Sequence, residues 1–125
     1  MAAPNIVGVT TVVGVTTFLS LANTSATVLV NNPANSNYAY RINSIIVAND
    51  DGTNSADITV AIHNEDDGGG TAFKIAHTVA VAADTTLVVL DRASSIYLEE
   101  DRSIVVTASA GNDLDVTCSY ETIID

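Results

Sequence analysis

Apolar side chains recur along this chain with a period of two, most cleanly near its end. Leu114, Val116, Cys118 and Tyr120 alternate there with Asp115, Thr117 and Ser119. That spacing places one set on a buried face and the other toward solvent, as in a half-buried β-strand. Ile58, Val60 and Ile62 alternate in the same way with Asp57, Thr59, Ala61 and His63, and Phe73, Ile75, His77 and Val79 with Lys74, Ala76 and Thr78. Other runs are contiguous: Ile45-Ile46-Val47 suits a strand covered on both faces, Thr86 to Leu90 reads as another buried run, and Ser103 to Ser109 follows the charged turn at Glu99–Arg102. Ser25 to Val30 is a further strand. Between the runs lie Asn31–Asn37, Asp50–Ser55, Asn64–Thr71, Ala82–Thr85, Glu99–Arg102 and Gly111–Asp113, rich in the Gly, Pro, Asn, Asp and Ser that turns require. No stretch carries the 3.6-residue period of a helix longer than a turn or two. The pattern predicts an all-β fold, an antiparallel β-sandwich of about eight strands, jelly-roll or immunoglobulin-like.

Tyr38 to His63 reads as a β-hairpin, with arms Ile42–Ala48 and Asp57–His63 joined by Asp50–Ser55, and the two arms are expected to form the centre of one sheet. Asn64–Thr71 is acidic and Gly-rich, and is expected at a solvent-facing loop tip.

The N-terminal stretch has a different character. Met1 to Asn5 is short and neutral and is expected to be extended, and Val-Gly-Val-Thr-Thr then occurs at Val7–Thr11 and again at Val13–Thr17. A six-residue spacing is too brief for a solenoid repeat. It predicts two short strands, or one strand bent at a glycine. A flat, uncharged, β-prone edge invites pairing with other chains, so another subunit is expected to cover it. Ile6–Leu21 has no basic segment before it and is broken by Gly and Thr, so it reads neither as a signal sequence nor as a membrane span, and the mature chain is expected to start near Met1.

Composition sharpens this division. At 125 residues the chain is expected to be a single domain, with residues 1–24 an uncharged N-terminal arm and first strand or strands and residues 25–125 the sandwich core. The net charge is −11, yet residues 1–49 carry one charged side chain, Arg41. Residues 50–125 hold all 15 acids against Lys74, Arg92 and Arg102, a balance of −12. Such an acidic chain disfavours nucleic acid and anionic membrane surfaces as partners. A neutral segment, by contrast, is cheap to desolvate against another protein. Pro4, Ile6, Val7, Val9, Val12, Val13, Val15 and Phe18 are the candidate contact residues.

Candidate chemistry is sparse. One cysteine, Cys118, rules out an intramolecular disulfide and a multi-cysteine zinc site, and its alternating run makes it a core residue. His63 and His77 lie on strands flanking the Gly-rich loop but lack any zinc-ligand spacing. The acidic clusters Asp50-Asp51, Glu65-Asp66-Asp67 and Glu99-Glu100-Asp101 lack the calcium-loop order and read as solvated turn charges, a weak calcium site between neighbouring loops being the alternative left open. No nucleophile, phosphate-loop or dinucleotide motif is present, so no enzymatic activity, catalytic residue, metal or cofactor is assigned. Tyr38, Tyr40 and Tyr97 would be the stacking platforms of a carbohydrate- or receptor-binding module, an alternative weakened by the absence of Trp.

Arg41 to Thr53, Ile96 to Ala110 and Leu114 to Glu121 resemble a family of small virion structural proteins of marine tailed bacteriophages, notably cyanophages. The resemblance runs from Pro4-Asn5-Ile6-Val7 through the C-terminal strand. Family members usually carry a Gly in the turn after Leu-Glu-Glu, whereas this chain passes from Leu98-Glu99-Glu100 directly to Asp101-Arg102, so the turn is expected to be one residue shorter. The resemblance carries no catalytic motif. It implies structural work: a capsid decoration, or cement, protein, assembled in the host cytoplasm and bound as trimers or dimers over the major capsid protein. Neck, tail or fibre-associated subunits are the alternative it leaves open.

Overall fold

The computed structural model describes residues 4–124. Nine strands form two antiparallel sheets: β1 (Thr11–Ser20), β2 (Thr27–Asn32), β3 (Ala39–Asn49), β4 (Ala56–His63), β5 (Ala72–Val81), β6 (Thr86–Leu90), β7 (Ile96–Leu98), β8 (Arg102–Ala108) and β9 (Leu114–Ile124). Sheet A has the order β1-β9-β3-β6, with β7 also on β3, and sheet B the order β2-β8-β4-β5. The two interleave as a jelly roll does. Nine strands replace the expected eight because one edge position is divided: β6 pairs with Ile45–Ala48 and β7 with Tyr40–Ile42, and a 3-10 turn at Arg92–Ser94 separates them.

The Tyr38–His63 hairpin is not formed. β3 belongs to sheet A and β4 to sheet B, each central in its own sheet. The six-residue loop is what allows this, because it is long enough to carry the chain across the ~10 Å between stacked sheets. Asn49 fixes the crossing. Its Nδ2 donates to Val81 O (2.9 Å) and Asn54 O (3.0 Å), and its Oδ1 accepts from the Asp51 amide (2.9 Å). Asn32 performs the same service at the opposite end, where its Nδ2 donates to Tyr38 O (2.9 Å) and Leu98 O (3.0 Å). Both side chains are buried.

The core lies between the sheets and includes Ile42, Ile45 and Val47 of β3, Ile58 and Val60 of β4, Ile104 and Val106 of β8, and Leu114, Val116 and Cys118 of β9. Each of these Ile, Val and Leu side chains contributes roughly 1.5–3 kcal/mol on burial. Ile42 and Ile45 both face inward although three residues apart, because Asn43 is an extra residue opposite β9, between Ile42↔Tyr120 and Ser44↔Ser119. Tyr40 and Tyr120 stack at a centroid distance of 5.0 Å against one end of this core. In the turn from β7 to β8, Asp101 takes φ 58°, the left-handed position being filled without a glycine.

Candidate assembly interface

The two outer faces of the sandwich differ. On sheet B, loop 64–71 folds back over the strands instead of projecting as a loop tip. Ser103 Oγ donates to Glu65 O (2.7 Å), the Ala34 amide donates to Asp66 Oδ2 (2.9 Å), and His63 Nδ1 lies 3.0 Å from Gly69 O. Gly68, at φ 84°, rests on Val28 and Val105, where an added Cβ would come within 3.0 Å of Val28 Cγ2. This cover buries Val105, so the contiguous run Ile104-Val105-Val106 is enclosed on both sides.

Sheet A has no such cover over its middle. Ile46 sits between two fully buried neighbours, Ile45 and Val47, yet is 36% exposed, so the Ile45–Val47 run is not covered on both faces. It lies in a cross-strand row: Phe18 faces Thr117, Thr117 faces Ile46, and Ile46 faces Val88. The row crosses all four strand positions of the sheet. Phe18 is 75% and Val88 56% exposed. A depression lined by Phe18, Leu19, Ser20, Asp115 and Thr117 opens beside it. A second row, Val12–Ile123–Ala39, lies near the start of β1, where Pro4, Ile6, Ala39, Tyr97 and Glu99 line another depression.

The eight candidate contact residues therefore occupy distinct places. Pro4 is buried, Val7 is almost fully exposed, and Ile6 and Val9 belong to the segment that precedes β1. The repeated Val-Gly-Val-Thr-Thr does not make two strands. Its second copy lies within the single strand β1, and pairing with β9 runs through Gly14 without a register shift. Val12 and Phe18 point to the outer face, while Val13 and Val15 share the side of Thr122 and Tyr120. β1 ends the sheet, and its second edge is unpaired among the described residues. Ile46, Thr117 and Val88, which complete the apolar row, were not singled out by the sequence pattern; the only trace is an apolar residue at a position where strict alternation calls for a polar one.

The remaining candidates are dispersed. His63 faces Ala72, whereas His77 follows Ala76, which faces Val60 several residues away along the same pair of strands. No group of three or more His, Cys, Asp or Glu side chains suited to a metal occurs among the described residues. Tyr40 turns toward the core and Tyr97, opposite Arg41, turns outward, so they offer no shared stacking platform. Cys118 is buried, and burial pushes its thiol up to about 12. Asp51 accepts from the Thr53 and Asn54 amides, which hold its carboxyl below the usual range, and burial together with the nearby Asp51 charge raises that of Asp113. No helix is long and apolar enough to cross a membrane among the described residues.

No protein-family model matches the chain, and no curated protein matches its sequence. Solved structures share its fold. It is similar to a chain of the Bacillus endospore appendages, described as a novel family of disulfide-linked pili, with a TM-score of 0.54 and 17% identity over 91% of this chain and 88% of that one. A chain of the T13 particle of infectious bursal disease virus matches with a TM-score of 0.55 and 8% identity over 93% of this chain. The present chain spans about a third (32%) of that one. A chain of the acidic stable capsid of Helicobacter pylori bacteriophage KHP30 matches with a TM-score of 0.51 and 10% identity, over 93% of this chain and 90% of that one.

Proposed function

We propose that the protein is a structural component of a bacteriophage virion, a capsid decoration protein that docks the outer face of sheet A and its N-terminal segment on the major capsid protein or another virion protein. The observation that carries this reading is the exposed row Phe18–Thr117–Ile46–Val88 on an otherwise complete sandwich. Apolar area of this kind on one face, with acidic loops at both ends of the sandwich, suits a subunit buried on one side and solvated elsewhere. The likeness to capsid chains supports the role, the KHP30 chain because it matches over nearly its whole length. The resemblance to virion proteins of marine tailed phages agrees. Work of this kind needs contacts rather than catalysis: the protein adds buried surface across subunit junctions and so resists internal pressure.

A disulfide-linked pilus is disfavoured by chemistry, since Cys118 is the only cysteine and lies in the core. The neck or tail reading differs from the capsid reading in copy number. Quantitative mass spectrometry of purified particles is expected to find several hundred copies. About a dozen copies would move the protein to the neck or tail, and absence from particles would overturn the virion role. On particles stripped of the protein, the Ile46→Asp/Val88→Asp variant is expected to rebind at least ~10-fold more weakly than wild type.

A further inference from the structure

We infer that the free edge of β1 pairs with β1 of a second copy, antiparallel about a two-fold axis through Val15, joining two A sheets into one continuous sheet. The inference is independent of the virion role.

The sandwich has four edges among the described residues. β2 is six residues long, is interrupted by a bulge between Val28 and Val30, and runs into Pro33. β5 has two register breaks against β4, with Thr78 at φ 46° and Lys74 on the strand. The edge formed by β6 and β7 is split by the 3-10 turn. Short strands, bulges, proline and lysine are the devices that keep an edge from pairing with other chains. β1 has none of them: it is ten residues long, uncharged, and in unbroken register with β9. Among the described residues, the one edge suited to complement β1 is therefore β1 itself, and a two-fold axis is the symmetry that brings identical strands together antiparallel.

The register follows from two constraints. The Leu21 amide donates to Leu114 O, continuing the β1–β9 ladder, so the odd-numbered residues of β1 bond to β9. Val12, Gly14, Thr16 and Phe18 then present their amides and carbonyls to the free edge. Opposed residues must also lie on the same face of the sheet, so the two numbers in each pair must sum to an even value. Pairing centred on Val15 sets Val12 against Phe18 and Gly14 against Thr16. It brings the Val88–Ile46–Thr117–Phe18 row of one copy into line with the Val12–Ile123–Ala39 row of the other. Centring on Thr16 would instead set Phe18 beside Gly14, in the row that contains Glu121 and Arg41, and would leave the apolar rows out of line.

Charge and area set the strength. The paired segment carries no charge while each copy carries −11, so added salt, by screening the repulsion between copies, tightens association. Nine residues per side is well below the 20–30 of a standard interface, so a weak dimer is expected, with a dissociation constant on the order of 10 μM.

The test is sedimentation equilibrium of the purified protein from about 1 to 300 μM, with two variants. Wild type is expected to dimerise, more tightly at 0.5 M than at 0.05 M salt. Thr16→Pro removes an outward-facing amide and no β1–β9 bond, a change an edge strand tolerates. It is expected to weaken the dimer at least ~10-fold while the far-ultraviolet circular dichroism and unfolding midpoint stay close to wild type. In Val15→Cys the two thiols lie opposite at a non-hydrogen-bonded pair, about 4.5 Å apart at Cα, within disulfide reach. Oxidation is expected to give a covalent dimer, with Cys118 remaining unreacted in its buried position. A wild type that stays monomeric throughout, or a folded Thr16→Pro that dimerises as wild type does, overturns the edge pairing. A dimer that Val15→Cys does not cross-link overturns the register. None of these outcomes depends on the copy number in particles, so this inference and the virion role fail separately.

Discussion

Asn49 holds the point at which the chain leaves sheet A for sheet B, and its truncation to Ala measures what that crossing costs. Three hydrogen bonds disappear. The Val81 carbonyl, in a residue only 2% exposed, loses its bond from Nδ2, and stranding a buried acceptor costs about 1–3 kcal/mol. The Asn54 carbonyl and the Asp51 amide belong to the loop and can turn to water, so their bonds contribute about 0.5–1 kcal/mol each. Together the loss is about 2–5 kcal/mol. With a urea slope of about 1.5 kcal/mol/M, the midpoint is expected to fall by about 1.3–3.3 M at unchanged slope. Asn49→Asp sharpens the test, since it keeps the acceptor for the Asp51 amide but turns a carboxylate oxygen toward two carbonyls. At pH 7 it is expected to be less stable than the Ala variant and to recover partly in acid, where a protonated carboxyl can donate. A midpoint shift below about 0.5 M for Asn49→Ala at unchanged slope would refute the claim that this amide ties the sheets together.

Two further outcomes follow from the titratable groups. Burial and the Asp51 charge raise the Asp113 carboxyl, so folding favours its protonated form and this strain is relieved as pH falls through its raised value. Asp113→Asn is therefore expected to raise the melting temperature at pH 7, with the gain shrinking as pH drops into the carboxylate range; an unchanged melting temperature at pH 7 would count against it. The Cys118 thiol, pushed up to about 12, contributes stability that is complete below its unfolded value near 9 and declines as pH rises from there toward 12. Native protein at pH 8 is expected to leave the thiol unlabelled by a maleimide until urea unfolds it, and rapid native labelling would contradict its burial.

The strands were legible in the sequence because period-two alternation is a local property, and β4 and β9 follow it closely. Strand pairing was not, because it depends on what a loop does. Asp50–Ser55 has turn chemistry in either case, and alternation in β3 and β4 is identical whether they pair or face each other across the core. The signal that distinguishes the two is Asn49, a polar residue at a buried strand end, and Asn32 repeats it. Loop 64–71 was half legible for a related reason. Glu65 and Asp67 face solvent as acids do, but the glycines let the backbone lie flat on Val28 and Val105, and Asp66 is used by the Ala34 amide. Asn43, the residue that shifts the phase of β3, hid why Ile42 and Ile45 share a face. The apolar row of sheet A was half legible: Phe18 was identified, while Ile46 and Val88 lay inside runs that read as fully buried.

The topology also explains how an uneven distribution of charge along the chain becomes an uneven distribution over the surface. The neutral first 49 residues supply β1, β2 and β3, and the interleaved order sends two of these, β1 and β3, to sheet A. β9 enters between them from the acidic part of the chain, but in the middle of the sheet its outward residues are Thr117 and Ser119. Sheet B receives β4, β5 and β8 from the acidic part, and is roofed by the loop that carries Glu65, Asp66 and Asp67. Neutrality that reads in sequence as an arm is therefore, in three dimensions, a face built into the sandwich. The consequence is a separation of roles: charge placed on the outer face of sheet A at Ile46 or Val88 removes no core contact, so it can abolish association and leave folding intact. Charge placed at Val105, equally outward in direction but covered by its own loop, must disrupt the fold.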